Sequence, residues 1–290
     1  MKKVYTTETI FENGDEVKVG YLNINNLLNG HHAEYINEDH NLRGLDVLTI
    51  AETHLTPNVS TEHIEAVLTN WVVKYRFDSN DQKPHMGILM LVPKKPQTKI
   101  KVHTEQSTSR YRDGQCQVQA TLCRINRHTF SFVYCRTTPS IREGEWIMRM
   151  TADSQYLMGD LNLDPTVQDQ KDKLHIICDK LKKSLLKEIT TKNGVQLDHI
   201  LGIERKGVRT FTTSFVNFIS DHKSVVIRIS DSDSKFIDDE RLPKSYEDDK
   251  VTEMEVECEE SLDDPDTVSM PPPAAPPPRK KRNMGKRTDQ

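Results

Sequence analysis

In the stretch YLMGDLNLDP, residues 156–165, an apolar run stops at Gly159 and is followed at once by Asp160 and, two residues on, by Asn162. Burying Tyr156, Leu157 and Met158 suits a strand. Ending it in a carboxylate and a carboxamide adds nothing to a core, but supplies groups that bind cations or move protons. The same device recurs along the chain. VGYLNINNLL ends its apolar run at Asn23 and Asn25, DVLTIAETHL ends at Glu52, and TFSFVYCRTTP carries Tyr134. VQLDHILG sets Asp198 among apolar neighbours, and NFISDHKSVVIRI places Asp221 and His222 just ahead of a strand. Singly, each is an ordinary cap or turn former. Asp198, between Leu197 and Ile200, is different in one respect: a buried carboxylate needs a partner, and a histidine can be one.

The elements that must position these residues are short strands alternating with helices over residues 17–230. The strands expected are VKVGYLNI, DVLTIAE, WVVKYRF, GILMLV, KIKVHT, CQVQATLCRI, TFSFVYC, QYLMG, QLDHIL and SVVIRI, bounded by Gly, Pro or Asp. Helices are expected at 32–42, 61–68, 143–150 and 169–183. In the last, Leu174, Ile177, Cys178 and Leu181 recur at helical spacing. About ten strands with helices between them predict an α/β fold, a four-layered sandwich of two packed, mainly antiparallel sheets flanked by helices. Trp71 and Trp146 read as core residues, and Asp164 as a loop-fixing residue of the LDP turn. No internal repeat is visible.

The order of the polar strand ends carries more than any one of them. N, ET, Y, GD-N, LD and SDH follow one another as do the motifs of the endonuclease/exonuclease/phosphatase superfamily, and the chain resembles that family across residues 17–230. AETHL, VYCRTTP and NFISDHKSVVIRI look most like the endonuclease domains of mobile elements, both non-LTR retrotransposons and Helitron-like transposons. The resemblance implies a Mg²⁺-dependent phosphodiester hydrolase, with Mn²⁺ as a possible substitute, acting on DNA as a nicking endonuclease. It implies Glu52 as principal metal ligand, joined by Asn25 and Asp221 directly or through water. It implies Asp160 as the group that orients and deprotonates the attacking water, with Asn162 holding Asp160 and the phosphate in register. His222 would donate to a phosphate oxygen while Asp198 accepts its other ring N–H, and Tyr134 and Asn23 would hydrogen-bond the phosphate or the ligand shell. The stretch between Asn162 and Asp198 is shorter than DNA-repair members usually carry. The same centre hydrolyses small or lipid phosphoesters, so a phosphatase or phosphodiesterase is the alternative. A nucleic-acid-binding relic without activity is the non-enzymatic one.

Composition sets the outer bounds. The 290 residues carry 40 basic and 44 acidic side chains, a formal charge of -4. Residues 231–270 hold a net -12 and residues 271–290 a net +5, which leaves residues 1–230 mildly basic, at +3. Such a body permits a polyanionic substrate without demanding one. Residues 1–16 read as an N-terminal extension, and 231–290 as a disordered tail that is acidic, then proline-rich, then basic. Its RKKRNMGKR resembles a nuclear import signal, pointing to a nuclear location and otherwise to the cytoplasm. Five cysteines without a C-x-x-C pair argue against a zinc site or a disulfide framework. The expected partners are DNA and, in a transposon polyprotein, a helicase or reverse transcriptase domain. No membrane association and a monomeric state are expected.

Overall fold

The computed structural model describes residues 16–78, 85–96, 100–112, 114–188, 197–203, 205–217 and 219–231. The expected tail beyond its first residue, Asp231, and all but the last residue of the N-terminal extension, Glu16, lie outside them.

Chain order sets out two similar runs of elements. Strand β1 (Glu16–Asn23) is followed by helices α1 (His32–Glu38) and α2 (His40–Arg43), strand β2 (Val47–Ala51), helix α3 (Thr61–Val67), and strands β3 (Trp71–Phe77) and β4 (Ile88–Pro93). Strands β5 (Val102–Arg112), β6 (Gln115–Ile125) and β7 (His128–Cys135) come next. They lead to helix α4 (Ile141–Thr151), strand β8 (Tyr156–Asp160), helix α5 (Gln168–Leu181), and strands β9 (Ser184–Glu188) and β10 (Asp198–Gly202). The chain closes with β11 (Val208–Phe215) and β12 (Ser224–Asp231).

Among the described residues these strands form two six-stranded sheets, ordered β11-β12-β1-β2-β4-β3 and β5-β6-β7-β8-β10-β9. Each is antiparallel except for one parallel pair, β1 with β2 and β7 with β8, where a helical crossover intervenes. The two sheets therefore share one pairing pattern, a repeat of topology that the side chains do not announce.

Period-2 alternation builds the layers. Between the sheets lie Val19, Tyr21, Val47, Phe130, Phe132, Tyr156, Met158, Ile200 and Ile227. The alternate residues turn outward under the helices. Leu22, Leu48 and Ile50 pack beneath Ile36, Leu42 and Ile64 of α1–α3, and Val133, Leu157 and Leu201 beneath Trp146, Ile147, Leu174 and Ile177 of α4 and α5. The result is the expected helix–sheet–sheet–helix sandwich. Trp71 and Trp146 are both buried. Asp164 accepts from the N–H and hydroxyl of Thr166, fixing the LDP turn.

Three departures from expectation share a cause. β9 and β11 were not expected, and β5 runs on to Arg112 beyond the predicted 99–104; all three are edge strands. An edge strand buries little, so its apolar signal is weak. The predicted helix 32–42 is two helices, because Asp39 takes an extended ψ of 119° and accepts from the N–H groups of Asn41 and Leu42, capping a second helix. Among the described residues no helix is long and apolar enough to cross a membrane, and Cys123, Cys135 and Cys178 are free thiols.

Candidate active site

Each polar residue singled out on a central strand is the terminal member of an apolar column. Asn23 follows Val17, Val19 and Tyr21 on the inner face of β1, and Tyr134 follows Phe130 and Phe132 on β7. Asp160 follows Tyr156 and Met158 on β8, and Asp198 precedes Ile200 on β10. β1, β2, β7 and β8 end at the pole where β10 and β12 begin, and Asp198 stands opposite Asp160 in register. The site is thus the polar end of the core between the sheets.

Glu52 reaches it by a different route. Ala51 faces the inter-sheet core, so regular alternation would aim Glu52 at the helices. A φ of 54° turns it back, and the Tyr134 hydroxyl donates to its Oε1. The loop carrying it is pinned by the N–H of His54 to the Met86 carbonyl at 3.0 Å. Gly87 makes that approach possible, since its φ is 122° and a Cβ there would stand 2.2 Å from Thr53 Oγ1. The Gly87 N–H donates to Gln119 Oε1 at 2.7 Å, tying this loop to the other sheet.

The acid–base groups form a chain. His222 Nδ1 lies 2.6 Å from Asp198 Oδ2, and its Nε2 lies 3.9 Å from Asp160 Oδ2. Asn23 Nδ2 donates to Asp160 Oδ2 at 3.0 Å, and the Asn162 N–H to Asp160 Oδ1 at 2.8 Å. Burial alone would lower the His222 imidazole, but the adjoining Asp198 carboxylate outweighs it and holds the group up to about 10. The ring is therefore a cation with two N–H donors at neutral pH. Burial and then the Asp198 charge raise the Asp160 carboxyl, making it more basic than a surface aspartate. Burial also raises Glu52, against the pull of Tyr134, His222 and Asn23. The Tyr134 phenol, raised by burial and by the Glu52 charge, stays a donor.

The side chains of six of the nine expected residues, Asn23, Glu52, Tyr134, Asp160, Asp198 and His222, are connected by these contacts. Asn162 holds Asp160 through its backbone, while its carboxamide donates to the Cys135 carbonyl at 2.8 Å and so fixes the end of β7. Asn25 is exposed, its N–H 3.4 Å from Asn23 Oδ1. Asp221 is exposed too, and its charge acts on both Glu52 and His222.

Sequence reasoning missed the supports. Asn217 Nδ2 donates to the His222 carbonyl at 2.6 Å and its Oδ1 accepts from the Ser220 N–H. Ser220 Oγ donates to the Asn23 carbonyl at 2.6 Å and accepts from the His222 N–H. The available signal was Asn217 together with Ser220, the first residue of SDH. Gln119 gave none, being one of three glutamines alternating along β6.

Asp160, Asp198 and His222 offer ligand atoms within 4.8 Å of one another. The His222 Nδ1 is engaged with Asp198, so this trio reads as a proton relay. Cation-binding capacity comes from the surplus of oxygen donors around it. Glu52, Asp160 and Asp198 face one imidazolium, with Asp221 adding charge nearby, and the buried Asp198 Oδ1 has no hydrogen-bond partner among the described residues. The raised carboxyls of Glu52 and Asp160, beside amide oxygens, fit a hard divalent cation.

No family model matches the chain, and no curated protein matches it in sequence. Solved structures do. An endonuclease/exonuclease/phosphatase family protein from Leptotrichia buccalis is 14% identical, with a TM-score of 0.50 over 74% of this chain and 99% of that one. The human Nocturnin catalytic domain, determined with a bound sulfate anion, is 14% identical, with a TM-score of 0.52 over 75% and 94%. An AP endonuclease from Leishmania major is 10% identical, with a TM-score of 0.57 over 78% and 92%. At such identities the likeness establishes the fold, that of the endonuclease/exonuclease/phosphatase proteins.

Proposed function

We propose that the chain is a divalent-metal-dependent phosphodiester hydrolase, and that it nicks DNA. The observation that carries this is the buried Asp198–His222 pair directed at Asp160, which Asn23 holds by its carboxylate. Asp160 takes the proton of the attacking water, its basicity raised by burial. His222, charged and with Nδ1 engaged by Asp198, presents Nε2–H to a non-bridging oxygen, where a fixed donor stabilises growing negative charge. Tyr134 and Asn23 orient Glu52 and Asp160. Glu52, with Asn25 and Asp221, would hold Mg²⁺, which supplies charge compensation at the phosphate when bound. Preference for DNA and an origin in a mobile element rest on the AETHL, VYCRTTP and NFISDHKSVVIRI motifs and on the mildly basic body.

The test is incubation of the purified full chain with supercoiled plasmid and Mg²⁺. Nicked circles are expected, and none with EDTA. Asp160→Asn should lower the rate by on the order of a hundredfold or more, the usual loss for a positioned base, with circular dichroism unchanged. Hydrolysis of a small phosphoester in place of plasmid would select the phosphatase alternative, and no hydrolysis of either the relic.

A further inference from the structure

We propose that Tyr21 is a positioning residue for the reaction at Asp160; this rests on the hydrolase reading above. Tyr21 lies on the inner face of β1 and is fully buried. Its hydroxyl crosses to the other sheet, accepting from the Asp160 N–H at 3.1 Å and donating to the Val133 carbonyl at 3.4 Å. Those two groups belong to neighbouring parallel strands, where Val133 faces Gly159 and Tyr134 faces Asp160. In a regular parallel ladder an N–H bonds the carbonyl one residue before its opposite number, which would pair the Asp160 N–H with Val133 directly. The hydroxyl reaches both groups of that rung from the opposite sheet. A phenol suits it, having one donor and free lone pairs on a single oxygen.

The two strands approach closely at the same point. Gly159 has a φ of 155°, and a Cβ there would stand 1.8 Å from the Val133 carbonyl oxygen, so only glycine fits beside this rung. Two residues beyond Tyr21 on the same face, Asn23 donates to the Asp160 carboxylate. One strand of the first sheet therefore grips Asp160 of the second by both its backbone and its side chain. Through Asp160 it sets the spacing to Tyr134 and His222. Misplacement by about 1 Å can cost on the order of a hundredfold in rate, so loss of this bridge is on the scale that matters.

Tyr21→Phe keeps the ring and its packing and removes the bridge. With plasmid and Mg²⁺, kcat should fall by about tenfold or more while KM stays unchanged, because the substrate's own contacts are intact. Exchange of the Asp160 amide hydrogen should quicken as well. A nicking-competent wild type with unchanged kcat in Tyr21→Phe would overturn the inference, as would a parallel change in KM alone. An inactive wild type would instead overturn the hydrolase reading. Should Tyr21→Phe fail to fold, the wild type still decides. Its Tyr21 hydroxyl proton should give a slowly exchanging NMR resonance with a cross-peak to the Asp160 amide, and absence of that resonance sinks the inference.

Discussion

Glu52 shows how much a single residue is made to bear. It holds a left-handed backbone that costs a non-glycine residue about 1–3 kcal/mol, and a carboxylate that burial penalises. Asn25 and Asn162 share the left-handed conformation, at φ 49° and 50°, so strain gathers where chains leave the core for the site. Glu52→Gln should therefore separate stability from function. Without metal its melting temperature at pH 7 should equal or exceed that of the wild type, since no buried charge remains there. Activity should fall and recover in part as Mg²⁺ is raised; an unchanged Mg²⁺ dependence would remove Glu52 from the cation site. At this scale the chain was most legible where a polar type broke an apolar column, as at Asn23, Asp160 and Asp198. It was illegible at Tyr21, because a tyrosine in a strand looks the same whether its hydroxyl is idle or bridges two strands of the other sheet.

Elements were legible in proportion to their burial. Central strands such as β2, buried along its whole length, declare themselves, whereas β11 (VRTFTTSF) keeps most of its residues partly or fully exposed. The junction of α5 with β9 hides another feature. Lys183, only 4% exposed, sends Nζ to the Thr151 carbonyl at the end of α4, an interaction that offsets the dipole of that helix end. Burial lowers this amine to about 8, with Asp153 opposing, against an ordinary 10.5. Below pH 8 folded and unfolded chains are both protonated, and the folded state bears the full cost of a buried charge. Between 8 and 10.5 the folded chain releases its proton first, so this residue's contribution to stability improves as pH rises. Melting curves of wild type and Lys183→Met at pH 7 and pH 10 check this. The wild type should gain on the variant at the higher pH; a constant gap would mean that Lys183 titrates as in solution.

Across the whole molecule the site is shared between the layers. Asn23, Glu52 and His222 come from the first sheet or its loops, and Tyr134, Asp160 and Asp198 from the second. A ligand bound there stabilises the docking of the two sheets as well as the local geometry. Melting temperature should rise with Mg²⁺, the gain reaching about 2.7 kcal/mol at a hundredfold excess over Kd, and EDTA should reverse it. A melting temperature indifferent to Mg²⁺, Mn²⁺ and EDTA would refute a cation site spanning the sheets. The sandwich itself was legible from the alternation of strands and helices. Its repeated pairing order was not, because the two halves share hydrogen-bond connectivity and no run of side chains.

The pairing of β1 with β12 has a consequence of its own. Glu16 stands opposite Ser230, so the chain enters and leaves the sandwich side by side, at the pole away from Asn23, Asp160 and Asp198. A few added residues could join those two ends, and fresh termini could be opened at the tight β6–β7 hairpin around Asn126, yielding a circular permutant with every rung of both sheets preserved. For the same reason the domain can be spliced as a cassette into a surface loop of another protein, its polar site facing outward and its host tethered behind.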